Sequence, residues 1–146
     1  MSTTKYQIAI SSTFLWIGFV SAISFMEAWL KFQAPGVTIP IGLGIGRLVF
    51  FALNKVEWFL VIMIMGNLVF SKTPVVTFKN TLFFIPILML LLQTIWALPA
   101  LDTRATLYIQ QQTVSPSNLH FYYVGMEIIK IACLTIFGIK LFNNYK

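Results

Sequence analysis

Charge is what this sequence has least of. Of its 146 residues only 10% are Asp, Glu, Lys or Arg, against about 25% in a soluble globular domain. There are four acids, Glu27, Glu57, Asp102 and Glu127, and a single histidine, His120. There is also one cysteine, Cys133, inside an apolar segment, so neither a disulfide framework nor CxxC chemistry is available. Ser11, Ser12, Ser21 and Ser24 lack a plausible histidine base, since His120 falls on the far side from the first two, so nucleophilic catalysis has no support. The net charge is +6, but no basic run with interleaved aromatics exists, so nucleic acid is not an expected partner.

What is present is apolar bulk: 58% hydrophobic residues and 14 Phe. Such a chain is apolar outside as well as inside, and the lipid bilayer is its expected surroundings. Residues 1–146 read as one transmembrane domain with spans near 6–30, 47–70, 77–98 and 119–142. Lys5 before an apolar run, with Ser21 and Ala22 after it, resembles a signal peptide. The run continues to Trp29, however, so it reads as a retained first helix. The second span has two readings. One is a continuous tilted helix, which we prefer; the other is a separate interfacial helix over Ile41–Leu53 with a break at Asn54-Lys55. Pro86 falls inside the third span and Pro99 is expected to end it, with Asp102–Thr113 a short polar helix beyond. Ser115-Pro116-Ser117-Asn118 reads as a loop leading into the fourth span. Short connections imply an all-α, up-down-up-down four-helix bundle. Lys5, Lys72, Lys79, Lys140 and Lys146 fall at one end with no acid among them. Lys31, Arg47, Lys55 and Arg104 mix with acids toward the other. Both termini are therefore expected in the cytoplasm, in a bacterial inner membrane.

Against this background the few polar residues stand out, because each ionised side chain at mid-bilayer costs roughly 2.5–3.5 kcal/mol. In the last span His120, Tyr123, Glu127 and Lys130 follow at i, i+3, i+7 and i+10, one helix face. In the second, Arg47, Asn54 and Glu57 repeat that pattern. Glu27 lies on a face of the first span with Thr13, Val20, Ser24 and Lys31, and Gln93 with Trp96 ends the third. A polar pocket of Glu27, Arg47, Asn54, Glu57, Gln93, Trp96, His120, Tyr123, Glu127 and Lys130 is thus expected, with Glu57 and Glu127 meeting near mid-depth beside Lys130. The plain alternative is structural: Lys130 neutralises Glu127, and Arg47 neutralises Glu57 or Glu27. Glu57, His120 and Glu127 are the weak metal-ligand candidates, since no Glu-x-x-His di-metal pattern is present. Gly42-x-Gly44-x-Gly46 is not a nucleotide loop, because no strand precedes it and no Walker lysine follows. It reads as close helix packing, or as a helix N-terminus that attracts an anion together with Arg47.

The stretches TFLWIGFVSAISFMEAWLKF and GLGIGRLVFFALNKVEW, and the Leu119-His120 start of the last span, resemble small four-helix membrane proteins of the copper-resistance-D-like superfamily. The resemblance implies a four-helix bundle and makes haem or copper worth testing. It transfers no ligand, since the early histidine of the haem-binding relatives has no counterpart here. Three functions are open: a protein binding or transporting an ion, proton or small amphiphile, transport requiring a homo-oligomer; a membrane enzyme or haem- or quinone-binding protein acting on a lipid-soluble substrate, with Glu or His120 as acid–base group; and a structural subunit of a larger complex. The charge asymmetry predicts that a cysteine at Gln111, in a Cys133→Ala background, reacts with an impermeant thiol reagent on intact cells. Labelling only after lysis reverses the orientation.

Overall fold

The computed structural model describes residues 6–71 and 81–143. Lys5, Lys72, Lys79 and Lys146, which carry most of the orientation reading, lie outside them, as do the turn around Pro74 and the expected start of the third span at 77. Among the described residues the chain is all helical. Four rods form it: α1 Gln7–Gln33, α2 Ile39–Phe70, α3 Thr81–Ile109 and α4 Leu119–Asn143. The first three are long and apolar enough to cross a membrane.

Side-chain contacts give the order. Asn67 accepts from the Ala9 amide at 3.2 Å, and Trp16 meets Glu57, so α1 and α2 are antiparallel. Asn54 donates to Thr94 and Arg47 to Thr106, which makes α2 and α3 antiparallel. Phe83 stacks on Phe137 at 5.0 Å and Gln93 meets Glu127, so α3 and α4 are antiparallel too. α4 returns against α1, where an added Cβ on Gly138 would stand 3.2 Å from Phe14 and 3.3 Å from Thr13. Glycine here lets two helices approach closely.

α2 settles the choice between two readings. It is one helix of 32 residues with no break at Asn54-Lys55, and it begins earlier than Arg47. Thr38 is extended and Pro40 occupies the first turn, where its missing N–H costs no hydrogen bond. α3 corrects an expectation: Pro99 does not end it. The preceding Gln93–Ala97 turn is π-helical and Pro99 falls in the first turn after it. The proline's absent N–H thus coincides with a ladder already shifted by the wider turn. The helix runs on to Ile109, and Gln111 closes it with φ 58°. A second π-helical stretch, Ser21–Glu27, interrupts α1.

The core divides along the bundle axis. Toward the end holding Gln7, Phe70 and Asn143 it is apolar, built from Leu60, Ile64, Leu68, Phe83, Leu90, Leu134, Phe137 and Leu141. Toward the opposite end the buried positions turn polar: Trp16, Ser24, Glu57, Gln93, Tyr123, Glu127 and Lys130.

Candidate functional site

Lys130 sits where the two halves of the core meet and is fully buried. Its ammonium has three N–H donors and three oxygens around it. It donates to Glu57 Oε1, to Gln93 Oε1 at 2.6 Å, and pairs with Glu127 Oε1 at 3.1 Å. The same carboxylate oxygens take further donors. Trp16 Nε1 donates to Glu57 Oε1 at 2.7 Å, and Gln93 Nε2 donates to Glu127 Oε1 at 2.8 Å. All four rods therefore contribute. Periodicity explains α4's share, because Glu127 and Lys130 lie one turn apart on the face that also carries Tyr123. The π-helical turn opens at Gln93, a setting in which wider turns recur at functional sites.

The count of charges is uneven. Glu57 and Glu127 share a single ammonium, so the fully ionised centre carries one net negative charge. Glu57 Oε2 has no hydrogen-bond partner among the described residues, while Glu127 has only the Tyr123 hydroxyl beside it besides the donors on Oε1. A buried acceptor without a partner costs on the order of 1–3 kcal/mol, more when charged. The ammonium, by contrast, is saturated. The centre thus has spare capacity for one positive charge, and that capacity lies on the carboxylates.

The remaining expected residues separate from this centre. Glu27 pairs with Lys31 at 3.2 Å within α1. Arg47 neutralises neither Glu57 nor Glu27: its Nε meets Asp102 at 2.7 Å, and a terminal nitrogen donates to Thr106 at 3.2 Å. Asp102 is therefore not paired with Arg104, which donates instead to the Ser115 carbonyl at 2.5 Å. Asn54 donates to Thr94 at 2.9 Å, as does Trp58 at 3.0 Å. Trp96 is exposed and lies beside Tyr122, in a shallow groove on the outer surface. His120 is exposed at the end of α4. Glu57, His120 and Glu127 do not form a metal site: no group of three or more His, Cys, Asp or Glu residues among those described could hold an ion.

Trp16 and Thr94 were not expected to matter. Trp16 could have been found, because an indole N–H deep in an apolar run needs an acceptor on a neighbouring helix. Thr94 gave no comparable signal, since a helical threonine can bond its own backbone, as Thr94 also does with Leu90. Comparison with protein-family models, with curated proteins and with solved structures gives no match.

The uneven charge count makes a prediction that simple ion-pair reasoning does not. Lys130→Met strands two buried carboxylates and should destabilise the bundle by about 3–5 kcal/mol. Glu127→Gln leaves a one-to-one Glu57–Lys130 pair and should cost less than about 1 kcal/mol, or stabilise. Thermal unfolding in detergent micelles checks both, and a larger loss for Glu127→Gln than for Lys130→Met refutes the charge count.

Proposed function

We propose that this chain is an integral membrane protein whose buried Glu57–Lys130–Glu127 centre reversibly binds one proton. The observation that supports the reading is the pair of carboxylates around one saturated ammonium, with Glu57 Oε2 unpartnered. Lys130 Nζ already fills the point where a metal cation would be coordinated. The charge that completes the centre is then a proton on Glu57 Oε2 or Glu127 Oε2, which turns an acceptor into a donor. With the proton on one carboxyl, the other keeps the ammonium as its ion pair. The site therefore has two states of similar composition, as a proton relay in a membrane requires.

Membrane embedding rests on the outer surface. Leu48, Ile62, Ile95 and Phe121 are 65–73% exposed, and such side chains recur around the bundle rather than in one patch. At 1.5 Å per residue, α4's 25 residues extend about 37 Å, enough to cross as well. We place both termini on the cytoplasmic side. The proton then reaches the centre from the outer end, where Tyr123 stands between the Phe50 ring, 5.2 Å away, and Glu127. The apolar half of the core closes the other end, so a resting bundle gives access from one side only.

Infrared difference spectroscopy in an ester-free detergent tests this directly. The wild-type protein should show one protonated-carboxyl C=O band that changes with pH and shifts in heavy water. Glu57→Gln and Glu127→Gln should each abolish it, since either leaves a neutral pair. No such band between about pH 4 and pH 9 reduces the centre to a structural network.

One observation favours a second reading, a subunit of a larger membrane complex. Lys55 is exposed midway along α2 and no described residue pairs with it. Glu27 and Asp102 are paired and Glu57 and Glu127 are buried inside the bundle, so among the described residues a second copy supplies no free surface carboxylate for Lys55. A different protein would. If so, Lys55→Leu should reduce the native size of the protein extracted in mild detergent; an unchanged size leaves the bundle on its own, with the lysine stem extended toward the headgroups.

A further inference from the structure

Beyond the proton centre, at the outer end of the bundle, lies a half-enclosed cavity of about 130 Å³. α1, α2, α3 and α4 all line it. Most of its wall is apolar, with Phe32, Leu43, Phe50, Phe51, Leu98 and Leu101 on it. The polar side chains that reach it are Lys31, Arg47, His120 and Asp102. Their spare hydrogen-bonding capacity is mostly that of donors. Asp102 is ion-paired with Arg47, although its Oδ1 takes no hydrogen bond of regular geometry. Lys31, whose side chain is only 9% exposed, makes one hydrogen bond, to Glu27 at 3.2 Å. Two of its three N–H donors are therefore unclaimed by any described residue. His120 has no hydrogen-bond partner among the described residues, and its ring stands edge-on to Phe121.

The glycine run makes this geometry possible. A Cβ on Gly46 would lie 2.9 Å from Lys31 Nζ, and one on Gly42 would overlap the Phe32 ring. Without side chains at these two positions, α2 lets the end of α1 fold over it and turn a lysine ammonium inward. The Lys31 ammonium also stands 5.6 Å from the centre of the Phe50 ring and 5.5 Å from that of Phe32. Cation and aromatic wall thus belong to one site.

We infer that this cavity binds a small organic anion with an apolar body, of the aryl or alkyl carboxylate class. The carboxylate is received by Lys31 and His120, and the body lies against Phe50 and Leu98. Two features select that chemistry. The free charged group is a donor, the Lys31 ammonium, whereas the one carboxylate is already compensated by Arg47, which suits an anionic acceptor and disfavours an amine. The volume is close to that of an apolar cavity of about 150 Å³ known to hold benzene, so one ring or a short chain fits and a large cofactor does not. Free carboxylic acids and the fatty acids of a bilayer share this chemistry.

Isothermal titration of the purified full-length protein in micelles with benzoate, octanoate and benzylamine separates the possibilities. Benzoate or octanoate should saturate at about 1 mM or below, and benzylamine, matched to benzoate in size but cationic, should bind at least ~10-fold more weakly. Preference for octanoate points to a lipid-derived acid, and preference for benzoate to a free ring acid. Lys31→Met should weaken the anion ~10-fold, and Ala105→Phe, which fills the cavity from α3, should abolish binding. Should either variant fail to fold, the benzoate–benzylamine comparison on the wild type still decides. Equal affinity for the two, no saturable anion binding, or unchanged binding in a folded Lys31→Met protein overturns the inference. The site does not depend on proton uptake: Glu127→Gln should leave anion binding intact, so the two readings fail separately.

Discussion

A lysine ammonium held by three oxygens from three helices is the constraint on which this bundle depends. Lys130 cannot be buried without acceptors, because an isolated ammonium in a dry interior costs several kcal/mol even after relaxation. Glu57 and Glu127 cannot be buried without a cation for the same reason. Gln93 joins them from α3 by accepting from the lysine and donating to Glu127, and Trp16 ties in α1. Every rod thus has one side chain that must reach a common point. A shift of one residue rotates a helix by 100° and moves it 1.5 Å, which takes that side chain off the point. Apolar packing alone tolerates such slippage far better. The polar centre therefore sets register, while the apolar half of the core supplies most of the burial.

The arrangement also grades the bundle from one end to the other. Phe83 and Phe137 stack in the apolar half, where nothing can hold a charge. The ionised centre comes next. Past it, Phe50 and Tyr123 stand between the centre and an end lined by Lys31, Arg47 and His120. The two π-helical turns, Ser21–Glu27 in α1 and Gln93–Ala97 in α3, fall on the polar side of this gradient. Each re-aims the residues beyond it relative to a regular helix, and Ser24, Glu27, Gln93 and Thr94 lie within them. Irregular helix and polar interior thus occur together, as expected where a fold gives up packing for chemistry.

How much of this could be read from the chain depends on the range of the interaction involved. The meeting of Glu57, Glu127 and Lys130 was legible: two stripes of polar residues at helical spacing, in segments too apolar to hide charges elsewhere, leave few other arrangements. Arg47 shows the limit. Its partner could have been Glu27 or Glu57 by depth, yet Asp102 takes it, because α3 continues past Pro99 and carries the aspartate alongside α2. No local rule announces that continuation, since it depends on a wide turn whose cause lies in packing. Trp96 shows the opposite failure. Proximity in sequence groups it with Gln93, but the π-helical turn between them leaves Gln93 buried and Trp96 exposed.

Composition and periodicity by themselves determined that the chain is helical, that its helices are apolar on nearly every face, and that its scarce charges must find one another. These follow from the free energy of single residues in an apolar medium, which needs no knowledge of neighbours. Tertiary structure alone decided who pairs with whom: that one ammonium serves two carboxylates, that an indole completes the set, and that a glycine run makes room for Lys31 over an apolar cavity. Those outcomes depend on the register and rotation of four rods relative to one another, and distances of a few ångströms between residues 34 to 73 positions apart are not encoded in any one segment.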